Sequence, residues 1–262
     1  MSDPVIALVR SVAFLSRLPV PDRFFTDDPG RTGEYAGIFP LAGAVIALPS
    51  AMLILIFAAL GAPDALTALL ALALMIVLTG ALHEDGLADC ADAFGAAGHK
   101  LSEPGRILAI LKDSQIGVYG ALSLILSVAL RAVCLAALIA AASPLLSALV
   151  FLVTAALSRG LMVAHWYHLS SARSDGVAGR AGAPDAQARS TALIGGIIPA
   201  LLITFWLSGI IALLLVVPLA IAATYAWTRY VERHLGGHTG DTIGATQQIA
   251  ETAFLIALVV AL

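Results

Sequence analysis

The sequence predicts an all-α, polytopic integral membrane helical bundle, and three observations carry that prediction. Of its 262 residues, 60% are hydrophobic and only 12% are charged, where an ordinary soluble domain carries about 25% charged residues. Ala36 to Gly61, Ala65 to Leu82 and Thr191 to Thr228 hold no charge at all. None of these stretches keeps the polar stripe at helical period that a soluble helix shows. A bilayer core about 30 Å thick needs roughly 20 apolar residues in helical form, so the last stretch is long enough for two spans.

About seven transmembrane helices are expected, near 36–60, 65–82, 118–140, 145–167, 191–208, 210–228 and 245–262. All of the 14 Lys and Arg residues except Arg131 and Arg159 then fall in four segments on one side of the membrane. They are Arg10, Arg17, Arg23 and Arg31; Lys100, Arg106 and Lys112; Arg173, Arg180 and Arg189; and Arg229 and Arg233. The other side has only short turns, near Gly61–Asp64, Ser143–Pro144 and Ser208–Gly209, without a Lys or Arg. The positive-inside rule therefore predicts a multi-pass protein of the cytoplasmic (inner) membrane, with its N-terminus and long loops in the cytoplasm.

The chain reads as a single integral membrane domain over 1–262. Residues 1–35 form an interfacial and cytoplasmic N-terminal segment. There Val5, Ile6, Leu8, Val9, Val12, Leu15 and Leu18 suit a helix lying in the interface. Arg10 interrupts the apolar run and no basic region precedes it, so a signal peptide is not expected. Residues 83–117 are expected as an acidic cytoplasmic active-site loop, and 170–190, rich in Gly, Ala and Ser, as a mobile cytoplasmic loop. Cys90 and Cys134 have neither zinc nor redox spacing and are read as structural.

Chemistry concentrates in four places on the cytoplasmic side. In His83-Glu84-Asp85-Gly86-Leu87-Ala88-Asp89-Cys90-Ala91-Asp92, the aspartates 85, 89 and 92 share one face of a helix. Like charges at that spacing destabilise a helix unless something neutralises them. Hard oxygen ligands suit Mg²⁺, which commonly joins one or two carboxylates to substrate phosphates; a solvated acidic helix end is the plainer alternative. Lys112-Asp113-Ser114-Gln115-Ile116-Gly117 offers either a surface ion pair or a lysine for phosphate. Gly236-Gly237-His238-Thr239-Gly240-Asp241 is either a flexible turn or an anion-binding loop before a helix N-terminus. Arg159 lies deep in its span, where a charge usually faces the protein interior or a polar cavity, and Glu251 is a partner for it or for Arg131. His165, Trp166, Tyr167 and His168 are expected as an interfacial belt without chemistry, and His99 and His234 carry no role. A metal, several anion contacts and one shared face point to phosphoryl transfer.

The acidic run resembles the H-x-D-G-L-A-D-x-x-D-x-F signature of the cobalamin synthase (adenosylcobinamide-GDP ribazoletransferase) family, with Ala93-Phe94 completing it. Phe14-Leu15-Ser16-Arg17-Leu18-Pro19-Val20-Pro21, Phe39-Pro40-Leu41-Ala42-Gly43, the Lys112 run, Ser158-Arg159-Gly160 and the Gly236–Thr242 loop extend the likeness over nearly the whole chain. It is weakest from Ser170 to Arg189, which receives no role.

The resemblance implies that adenosylcobinamide-GDP and α-ribazole, or its 5′-phosphate, are joined with release of GMP in the last steps of cobalamin biosynthesis. It implies Mg²⁺ held by Asp85, Asp89 and Asp92, substrate contacts from Arg17, Lys112, Arg159, Gly237, Thr239 and Gly240, and a base among His83, Asp113 and Asp241. The lipid bilayer is the expected environment. No nucleic acid is expected, and a homo-oligomer or an association with other enzymes of the pathway remains open. A CDP-alcohol type phosphotransferase and a cation-coupled transporter are the competing readings. The first would show a fuller aspartate pattern, and the second would need polar groups on both membrane faces.

Overall fold

The computed structural model describes residues 3–25, 31–98, 103–113, 115–173 and 176–262, and every regular element among them is helical. Helix α1 (Pro4–Leu15) starts where the Asp3 carboxylate accepts the Val5 N–H at 2.8 Å. Its buried face, Ala7, Ser11 and Leu15, turns toward α2 (Phe39–Ala59). After a tight turn, α3 (Asp64–Thr79) runs back. It ends at two successive left-handed residues, Gly80 and Ala81, so that α4 (Leu82–Ala97) leaves at 89°. Short α5 (Pro104–Ile110) follows, then α6 (Val118–Ala141) and α7 (Pro144–His168). The last elements are α8 (Val177–Ala181), α9 (Ala186–Leu213), α10 (Val216–Leu235) and α11 (Gly240–Val260).

Helix α7 is the axis of the bundle, buried along most of its length. Small residues let its neighbours approach backbone to backbone, as is usual in membrane bundles, where helix packing has no hydrophobic driving force. A Cβ at Gly43 of α2 would stand 2.7 Å from the Ala155 carbonyl, and one at Gly160 would stand 2.6 Å from the Ala192 carbonyl of α9. The outer faces carry large exposed side chains such as Met52, Ile56, Ile125, Val133, Leu202 and Trp206, the surface that lipid covers.

Among the described residues, five helical stretches are long and apolar enough to cross a membrane: Thr32–Ala59, α6, α7, α9 and α11. The pair α3–α4 makes a sixth only if its two arms are counted together. We read α4 as a polar arm outside the spans. The span expected at 210–228 corresponds to α10, which falls short because Arg229, Glu232 and Arg233 occupy its last turns. The turn expected at Ser208–Gly209 is present as a break at Gly209, with φ of 77°. The acidic segment expected as a loop is largely helix, α4 and α5.

Candidate active site

Three connections gather at one end of the bundle: the α3–α4 bend, the end of α7 and the turn between α10 and α11. Gly86 makes the central contact, because a Cβ there would lie 2.6 Å from the Asp241 carbonyl oxygen. On the other side, Gly244 of α11 faces His83 and Gly86 at 3.4–3.6 Å. Two glycines thus lay the acidic arm against the first turn of α11. That turn is built by its cap: Thr239 Oγ1 accepts the Thr242 N–H, and Thr242 Oγ1 accepts the Thr239 N–H.

The first consequence is a group of carboxylates. Burial, then the charges of Asp85, Asp241 and Asp92, raise Asp89 from 3.8 to about 6. Asp241 pairs with Arg173 at 3.4 Å and also accepts a hydrogen bond from Thr239 Oγ1 at 3.1 Å. Asp92 is committed elsewhere: its carboxylate accepts the N–H groups of Gly117 (2.6 Å) and Gly120 (2.9 Å) and so caps α6. Among the described residues, no three His, Cys, Asp or Glu side chains are set to hold a metal by themselves. The donor set instead fits the Mg²⁺ mode in which one or two carboxylates share the ion with substrate phosphates.

The second consequence is a pair of cavities. The larger, about 250 Å³, is lined by His83, Asp85, Gly240 and Asp241 together with an aromatic group of Phe14, Phe39 and Trp166. Phe39 links that group, with its ring 5.9 Å from Phe14 and 6.2 Å from Trp166. The smaller, about 100 Å³, is lined by Ser171, Arg173, Gly179 and Thr239 and shares Gly240 and Asp241 with the first. Among the described residues, nothing stands within 4 Å of a Cβ built at Gly240, a position that suits an anion, which the orphan N–H groups and dipole of the α11 N-terminus favour.

Beneath α4 lies a buried polar network. Arg131 binds Glu84 (3.2 Å) and Glu251 (3.1 Å), and Arg159 approaches Glu251 at 3.6 Å. Gln248 donates to Glu84 (3.0 Å), and Gln247 bridges Ser158 and Glu251. Two acids balance two arginines, and the network ties α4, α6, α7 and α11 together. Each charge is thus paired at a depth where an unpaired one would be costly.

The residues expected from sequence divide accordingly. His83, Asp85, Gly240 and Asp241 line the larger cavity, and Thr239 lines the smaller. Arg159 is 1% exposed and serves the network rather than either cavity. Arg17 packs over the α3–α4 bend, where a Cβ on Gly80 would collide with its side chain, and its N–H donates to Leu78 at 2.8 Å. Gly237 allows the pairing of 236–239 with Ser170–Ala172, since a Cβ there would stand 2.5 Å from the Ser170 carbonyl. Lys112 and Asp113 are exposed at the end of α5, line neither cavity, and Asp113 accepts the Gln115 N–H at 3.1 Å. His99, Lys100 and Ser114 lie outside the described residues.

The interfacial-belt reading fails for Trp166 and His165, which are 2% and 1% exposed. His165 holds helices together through Thr228 (2.9 Å) and Thr242 (3.3 Å). Sequence reasoning also missed Arg173, which sits where the family likeness is weakest; no spacing signal connects it to Asp241. Cys90 and Cys134 are free and buried.

Fold and site together define a multi-pass, all-α membrane protein with a carboxylate-lined cavity at one end of its bundle. The family model described as cobalamin-5-phosphate synthase matches residues 7–259, and the chain belongs to that family. It is 51% identical over 257 residues to the adenosylcobinamide-GDP ribazoletransferase of Sinorhizobium medicae (strain WSM419), covering 97% of this chain and 96% of the relative. The Rhizobium johnstonii protein of the same name is 46% identical over 265 residues, covering 100% of this chain and 99% of the relative. No solved structure matches the chain.

Proposed function

We propose that this chain joins adenosylcobinamide-GDP to α-ribazole, or to its 5′-phosphate, and releases GMP. The observation that carries the reading is the α4–α11 contact, which brings Asp85 of the acidic signature and Asp241 of the glycine loop onto one cavity. A ribose hydroxyl of the acceptor attacks the phosphorus attached to cobinamide. The new P–O bond forms as the P–O bond to GMP breaks, and the hydroxyl proton goes to a base on the cavity wall.

Of the three candidate bases, His83 suits that role best. Its Nε2 has no hydrogen-bond partner among the described residues, whereas Asp241 has Thr239 and Arg173. Burial, then Arg159 and Arg131, hold His83 neutral, so it arrives able to accept a proton. The negative charge of the incoming pyrophosphate opposes the same causes and strengthens it as a base.

Asp85 and Asp89 would hold Mg²⁺ together with the substrate phosphates, and the ion would supply charge neutralisation of the pyrophosphate. Gly240 and Arg173 receive a phosphate group of the donor at the smaller cavity. The distribution of Lys and Arg favours the inner membrane with this end of the bundle in the cytoplasm. GMP release by purified protein in detergent or liposomes, with both substrates, tests the reading. Release that depends on Mg²⁺ and yields a corrinoid product supports it; none from a folded sample overturns it.

A further inference from the structure

We propose that the aromatic part of the larger cavity seats the planar base of the nucleoside acceptor, with Trp166 Nε1–H as the donor that recognises it. The inference rests on the transferase reading above and adds which substrate enters this cavity and what selects it. Three observations carry it.

The cavity measures about 250 Å³, near the lower end of the roughly 300–1,000 Å³ of small-molecule pockets. That suits a bicyclic base and is far too small for a corrinoid macrocycle. Phe14, Phe39, Met162 and Trp166 line it with aromatic and thioether surface, and such surface packs well against a flat ring. Finally, Trp166 is 2% exposed and its indole nitrogen has no hydrogen-bond partner among the described residues. Indole N–H is a donor only, and a buried donor left unpaired costs free energy.

A benzimidazole nucleoside has one free ring nitrogen, an acceptor, and no donor on its base. It would satisfy Trp166 and leave the apolar wall dry. A purine such as adenine presents an exocyclic amine to the same wall and would have to bury it unpaired. His83 and Asp85 line this same cavity, so a base seated here leaves its ribose close to the groups that act on the hydroxyl.

The test uses full-length protein in detergent micelles. With Trp206 and Trp227 replaced by Phe, Trp166 is the sole remaining tryptophan of the three. Titration with α-ribazole alone, without any corrinoid, should quench its fluorescence saturably, and adenosine should bind at least about tenfold more weakly. In the otherwise native chain, Trp166→Phe keeps an aromatic ring but removes the donor. It should raise the KM for α-ribazole about tenfold, the usual scale for one buried hydrogen bond, with kcat and the KM for adenosylcobinamide-GDP within twofold.

Absence of quenching in the single-tryptophan protein overturns the inference. So does a Trp166→Phe effect confined to the corrinoid substrate, or an unchanged KM for α-ribazole in an enzyme that melts normally. If the wild-type chain quenches with α-ribazole but never releases GMP, the transferase reading falls while the base site stands. Turnover without quenching leaves the transferase intact and removes the base site.

Discussion

Asp85 and Asp89 share one flank of a helix, and the structure adds Asp241, with Arg173 3.4 Å from it as its counterion. Asp85→Asn or Asp89→Asn should each lower turnover by about 10²–10³-fold, the scale for removing one element of preorganised charge stabilisation. The melting temperature without metal should not fall in either variant, which separates a chemical role from a folding one. The pH dependence has a definite sign. Asp89 has a folded pKa of about 6 against 3.8 unfolded, so its contribution to stability is fully present below pH 3.8. That contribution is lost as pH rises through about 6. Metal-free wild type should therefore lose stability relative to Asp89→Asn between about pH 4 and pH 6.5, measured by thermal denaturation in detergent. Adding Mg²⁺ at pH 7 should restore the wild type and leave the variant unmoved.

At the scale of elements, the site depends on how closely α4 lies against α11. Gly86→Ala would place a methyl 2.6 Å from the Asp241 carbonyl, a contact that only a shift of one helix relieves. Overpacking of this kind costs about 1–3 kcal/mol, and it displaces Asp241 from the cavity, so turnover should fall more than stability does. Gly244→Ala meets its neighbours only at ordinary van der Waals distance, 3.4 Å, and should change both by little. Activity and melting of the two variants side by side check the point. The bend before α4 is a second local device. Ala81 sits at φ 58°, a conformation that costs a non-glycine residue about 1–2 kcal/mol, and Arg17 packs over the neighbouring Gly80. That corner turns the polar arm away from the line of α3.

Over the whole molecule, the paired charges beneath α4 join helices that are far apart in sequence. Glu251 serves both Arg131 and Arg159, so Glu251→Gln leaves two arginines with only Glu84. Breaking a buried pair by removing one partner typically costs about 3–5 kcal/mol, and denaturant titration in mixed micelles should show a loss of that size. Removing Arg159 as well should recover part of it, because partners in one network do not act additively. Orientation is testable at the same scale. Both native cysteines are buried, so a single cysteine at Ala62 or Ser143 should label only from outside intact cells. One at Gln115 should label only after the inner face is exposed.

The helical membrane class, the turn at Gly209, the acidic signature and the Glu251–arginine pairing were legible in the residues themselves. Charge-free stretches, a glycine in a left-handed position and buried charges needing partners each follow from local chemistry. The roles of Arg17, Asp92, Arg159 and Trp166 were not legible. Asp92 repeats the helical spacing of Asp85 and Asp89, yet the start of α6 takes its carboxylate. Trp166 falls where interfacial aromatics gather, yet it is buried on α7 against Phe39 of α2. The sequence alone determined where apolar length ends and which residue types can bind a metal or a phosphate, because those are properties of a segment and its side chains. Only the tertiary structure decided which carboxylates face one cavity and which arginine faces none, because that depends on helix contacts between segments whose separation along the chain carries no record of their distance in space.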